Sequence, residues 1–103
     1  MKFEDLKFTE TNIPKGIQAL VKFGEYELSI INNESSYGGK NGGTLYEIAV
    51  YDNNNNMIEM PGITEEGDTV KGFLCEEGVT VIMKKMTTIT GDDGQNLIDT
   101  IPH

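Results

Sequence analysis

Few side chains in this sequence could do covalent or acid–base chemistry, and none of them is well placed for it. Cys75 is the one cysteine and His103 the one histidine. A lone thiol rules out an intrachain disulfide. Cys75 has no His beside it in sequence, and there is no Arg in the chain. It therefore reads as a small buried or helix-capping residue, with a lowered thiol pKa at a helix start as the alternative. His103 is the terminal residue, after Pro102, where side chains are ordinarily solvated. Acidic neighbours occur at Glu65-Glu66, Glu76-Glu77 and Asp92-Asp93. A general acid and base must face each other across a cleft, which adjacency in sequence does not provide. Asp92-Asp93-Gly94-Gln95-Asn96 lacks the alternating acids and the closing Glu of a calcium loop. The expectation is a protein that is not an enzyme, with no metal and no cofactor.

Binding chemistry has a better candidate. Between Ser35 and Gly43 stand four glycines (38, 39, 42 and 43) together with Lys40. Glycines let successive backbone N–H groups converge on an anion, and a lysine adds charge. No Gly-Lys-Ser/Thr ending is present, so this is not a phosphate loop of known type. Tyr37, beside two glycines, is suited to stacking or to anchoring an interface. Ser36, Tyr37, Gly38, Gly39 and Lys40 are the expected ligand or partner contacts. The plainer alternative is a flexible connector between two strands.

Strands must carry that loop. Ile17, Ala19, Val21 and Phe23 alternate with Gln18 and Lys22, the period of a half-buried strand. Gly24-Glu25 makes a tight link, and Tyr26, Leu28 and Ile30 then resume the alternation, predicting a β-hairpin. Leu45–Tyr51 predicts a third strand, Met57–Met60 a short fourth and Val70–Leu74 a fifth. Lys2–Phe8 reads as an edge strand or a docked arm, and Asn12-Ile13-Pro14-Lys15-Gly16 as a turn.

The period then changes. Val79, Ile82, Met83, Met86 and Ile89 recur at three and four, a helical stripe. Glu76 and Glu77 suit the start of this helix, Lys84 and Lys85 its end, and Gly91 its stop. These elements predict an α+β domain over residues 1–91, with an antiparallel sheet of four to five strands and one C-terminal helix on one face. Residues 92–103 read as a polar tail with Leu97, Ile98 and Ile101 as minor apolar positions. One helix cannot cover the sheet, and the other face would hold Glu27, Ser29, Ile31, Glu47, Ala49 and Tyr51. Self-association through that face or an edge, as a homodimer, is the expectation.

Charge narrows the partners. The 103 residues include 17 acids against 8 bases, all lysine, for a formal charge of −9. Such a field repels nucleic-acid phosphates and anionic membranes. Rows of carboxylates could instead imitate nucleic acid. The opening Met1–Asp5 is acidic where a leader would be apolar, and no apolar run approaches the ~18 residues of a membrane span. A reducing cytoplasm is the expected compartment.

Several of these segments occur together elsewhere. Gly16-Ile17-Gln18-Ala19, Phe23 through Ile30, Ser36-Tyr37-Gly38-Gly39, Leu45 through Val50, Val70 through Leu74, and Glu76-Glu77-Gly78-Val79-Thr80 follow in order. The chain thereby resembles a family of small uncharacterised proteins encoded by tailed bacteriophages, over about residues 16 to 86. It departs from them at Gly24-Glu25-Tyr26-Glu27, where they usually carry Asn-Gly-Tyr-Gly, and at Cys75, where they tend to carry Thr. The resemblance implies a phage protein acting in the host bacterial cytoplasm, and it brings no functional residues with it. The expected function is inhibition of host defence, by binding a host defence protein or by sequestering a small nucleotide ligand. A nucleic-acid mimic and a minor virion or assembly component are the alternatives.

Overall fold

A computed structural model describes residues 1–97. Ile98, Ile101 and His103 lie outside the described residues. Seven strands and one helix follow in the order β1 (Thr9–Asn12), β2 (Lys15–Phe23), β3 (Tyr26–Asn33), β4 (Tyr46–Tyr51), β5 (Met57–Ile58), β6 (Val70–Leu74), α1 (Glu76–Thr90) and β7 (Gln95–Leu97). The fold is α+β with an antiparallel sheet.

Three long strands, β2, β3 and β4, make the centre of the sheet. Two short strands complete each side. On one side β1 pairs with residues 15–18 of β2 and β7 with residues 20–22. On the other, β6 pairs with β4 from Tyr46 to Ala49 and β5 with Val50 and Tyr51. The sheet thus has two strands more than the upper expectation. Thr9–Asn12 and Gln95–Leu97 are short and polar, so no apolar alternation announces them. Met57–Met60 is strand only at its first two residues. Met60 is already in a turn, where its N–H donates to Thr64 Oγ1 at 2.9 Å.

Register assigns the faces. Ala19, Ile30 and Ile48 stand opposite one another, as do Val21, Leu28 and Val50. With Phe23 they form the buried face. The helix covers them with Val79, Ile82, Met83 and Met86, each large side chain contributing about 1.5–3 kcal/mol by leaving water. Cys75 caps the helix by accepting from Gly78 N at 3.4 Å, and Gly91 ends it with φ 71°. Lys84 and Lys85 lie inside the helix and not at its end, because it continues to Thr90. Ile89, expected on the buried stripe, is half exposed.

The N-terminal segment is a docked arm. Phe3 lies 5.6 Å from Phe8 and 5.1 Å from Tyr46, centroid to centroid. Its backbone N–H donates to Thr80 Oγ1 on the helix at 2.9 Å. Farther along, Lys7 N donates to Asn96 Oδ1, and Asn96 Nδ2 donates to Leu20 O at 2.9 Å. Arm, β7 and β2 are therefore one hydrogen-bonded unit. Burial pushes the Tyr46 phenol up, and the Glu76 carboxylate pushes it the same way.

Candidate functional site

The glycine-rich segment from Asn33 to Leu45 is a folded scaffold and not a flexible connector. Ser36 is buried, and its hydroxyl accepts from Asn33 N and donates to Asn33 O, both at 3.0 Å. Gly39 N and Lys40 N donate to Ser36 O, Gly43 N to Lys40 O, and Leu45 N to Gly38 O. Asn32 Nδ2 reaches across to Gly43 O and Leu45 O at 2.8 and 2.9 Å. Gly39 is required by close approach, since a Cβ there would sit 2.4 Å from both Asn33 O and Ser36 Oγ. These internal bonds engage the N–H groups of Ser36, Gly39, Lys40, Gly43 and Leu45, which are therefore not aimed at an external anion. The sequence-predicted contacts divide accordingly. Ser36 and Gly39 face inward and hold the loop, Gly38 is partly covered, and Tyr37 and Lys40 face solvent.

What the loop presents is an aromatic pair. Tyr37 N donates to Glu47 Oε1 at 2.8 Å, and Tyr37 O accepts from Phe73 N at 3.2 Å. Those two bonds tie Tyr37 to β4 and β6. Its Cβ also rests on Gly72, where an added Cβ would come within 2.4 Å. Phe73 is the residue that sequence reasoning missed. The β4–β6 register runs Tyr46 opposite Leu74 and Ile48 opposite Lys71, so Gly72 and Phe73 both stand opposite Glu47. This is a β-bulge, which re-aims a side chain. Phe73 takes φ 57° there, an uncommon conformation for a bulky residue. The result is a residue 68% exposed, its ring 6.1 Å from that of half-exposed Tyr37 at an interplanar angle of 35°. Lys40 Nζ lies over the Tyr37 ring, 5.2 Å from its centroid. Neither the alternating pattern nor composition signals a bulge, although Gly72 beside an aromatic is the trace it leaves.

Recesses lie on both sides of the pair. One, of about 520 Å³, runs past Lys40, Asn41, Thr44 and Leu45. The other, of about 320 Å³, is walled by Glu65, Asp68, Val70 and Gly72.

The uncovered face of the sheet is the second candidate. Register puts Gln18, Ile31 and Glu47 in one row, Leu20, Ser29 and Ala49 in the next, and Lys22, Glu27 and Tyr51 in a third. The face is mixed, as the sequence predicts. The β1–β2 turn at Ile13-Pro14 and the Met57 side chain flank it and leave a groove of about 240 Å³. Ser29 and Ala49 are buried at its floor, where Gln18 Nε2 donates to Ser29 Oγ at 3.0 Å. Glu47 belongs to this groove and, through Tyr37 N, to the aromatic pair as well.

Reactive chemistry has little support in the arrangement. Cys75 is exposed and serves as the helix cap. Among the described residues, no group of three or more His, Cys, Asp or Glu could hold a metal. Every buried side-chain polar atom among them has a partner. Asp92 Oδ1 accepts from Gly94 N at 2.8 Å, a local turn. Asp52 Oδ1 accepts from the backbone N–H groups of Asn54 and Asn56, and these bonds hold its carboxyl below the usual value. No helix among the described residues is long and apolar enough to cross a membrane.

Fold and surface together define an α+β domain that displays two aromatic rings, one on a β-bulge and one on the hydrogen-bonded loop beside it. No protein-family profile matches the chain, and no curated protein or solved structure shows significant similarity to it.

Proposed function

We propose that this is a non-enzymatic binding protein that acts by covering a surface of another protein with its Tyr37–Phe73 pair. One observation carries the reading: two large aromatic side chains are exposed side by side on hydrogen-bonded backbone. Aromatic residues that are already ordered lose little entropy on binding, and they dominate the energetics of interfaces. Phe73 holds a positive φ uncommon for a bulky residue, and strain of this kind concentrates at functional positions.

The resemblance to tailed-phage proteins extends the proposal. The setting is an infected bacterium, the compartment its cytoplasm, and the target a host defence protein. The alternative of sequestering a nucleotide is supported less well. Lys40, the lysine of the loop, already covers the Tyr37 ring, the amides of Ser36, Gly39, Lys40, Gly43 and Leu45 are engaged internally, and a formal charge of −9 opposes phosphate.

The test is affinity capture from bacterial lysate with the wild type and with a Tyr37→Ser/Phe73→Ser double variant. A host protein retained by the wild type and lost by an equally stable variant supports the proposal. Equal retention by both, or calorimetric binding of cyclic nucleotides, overturns it.

A further inference from the structure

Resting on that reading, we infer that the recess beside the aromatic pair receives an arginine side chain from a basic segment of the partner protein. The walls carry the chemistry. Tyr37 and Phe73 offer ring faces, and Glu65 and Asp68 stand on the same recess of about 320 Å³. A guanidinium is the group that uses both features, because it is planar enough to stack on a ring and forks onto a carboxylate.

Neighbouring charges favour the same occupant. Lys40 belongs to the opposite recess, so the Glu65–Asp68 side is acidic. Lys71 is the cation near these acids. It sits 3.5 Å from Glu65, in the one ion pair among the described residues, and both side chains are well exposed. An exposed pair of this kind is weak and exchanges readily. Asp68 Oδ1 accepts only a local bond from Thr69 N at 2.7 Å, and its second oxygen is available to an incoming donor. The overall charge of −9 steers a basic segment inward. An acidic or phosphorylated partner would meet Glu65, Glu66 and Asp68 as like charges.

Heptaarginine and heptalysine peptides serve as probes, with amide chemical shifts and calorimetry as readouts. The arginine peptide is expected to move the Tyr37, Gly72 and Phe73 amides and to bind roughly tenfold more tightly than the lysine peptide. Phe73→Gly, and separately Glu65→Gln/Asp68→Asn, are each expected to remove that preference. Equal affinity for the two peptides, or shifts spread evenly over the acidic surface, overturns the inference. So does a preference for arginine that survives Phe73→Gly. If the peptides fail but partner capture still depends on Tyr37 and Phe73, the arginine assignment falls and the binding reading stands. If capture is independent of both rings, the binding reading itself falls.

Discussion

The inner and outer sides of the Asn33–Leu45 loop follow different rules. On the inner side Ser36 and Gly39 are enclosed and hydrogen-bonded through backbone and the Ser36 hydroxyl. Any added atom there must displace main chain. On the outer side Tyr37 and Phe73 are tied by backbone hydrogen bonds, while much of each side chain remains in water. Stability should therefore reside on one side and recognition on the other, within a few residues of each other.

Gly39→Ala probes the inner side and should have the largest effect. A methyl 2.4 Å from Asn33 O and Ser36 Oγ forces the loop apart, for a loss of about 2–3 kcal/mol in urea denaturation. An unchanged midpoint would show that the two sides do not differ as described. Phe73→Gly probes the outer side and should change stability in the opposite direction. Relief of φ 57° exceeds the entropy cost of glycine, so thermal stability rises by about 1 kcal/mol. A fall in melting temperature would mean that the ring supports the fold. Tyr37→Ser should cost less than about 1 kcal/mol while removing partner retention.

Two smaller changes lie away from the loop and calibrate the comparison. Cys75→Ser replaces a sulfur acceptor 3.4 Å from Gly78 N, and a hydroxyl cap should raise stability by about 0.5 kcal/mol. Asp52→Asn should act at neutral pH and lose its effect in acid. The folded carboxyl lies below its ordinary 3.8, so its contribution is present above that pH and disappears as pH falls through the lowered folded value. The gap between wild type and variant should be constant at neutral pH and close below about pH 3.8. A gap that instead opens in acid would reverse the sign.

Much of the scaffold was legible because its forces are local and periodic. Ala19, Val21 and Phe23 alternate, and the structure buries all three. Val79, Ile82, Met83 and Met86 repeat at helical spacing, and they cover that face. Thr9–Asn12 was not legible because it carries no apolar alternation, although its partners are nearby at 15–18, and Gln95–Leu97 because it is specified by partners such as Leu20, 76 residues from Asn96. The candidate site was half legible. Composition located Tyr37 and Lys40, but it also nominated Ser36 and Gly39, which turn inward. Phe73 looks like an ordinary strand residue until the register with Glu47 reveals the extra position.

The late arrival of β7 has a consequence for synthesis. Strand β2 leaves the ribosome well before β7, and one stretch of its edge has no neighbour until Leu97 has been made. Until then, main-chain donors and acceptors at residues 20–22 remain available to other nascent chains. Pairings this distant in sequence also slow folding. Shortening the gene by even a few codons before Leu97 would leave that edge permanently open, so truncated products should be the ones that accumulate as insoluble material.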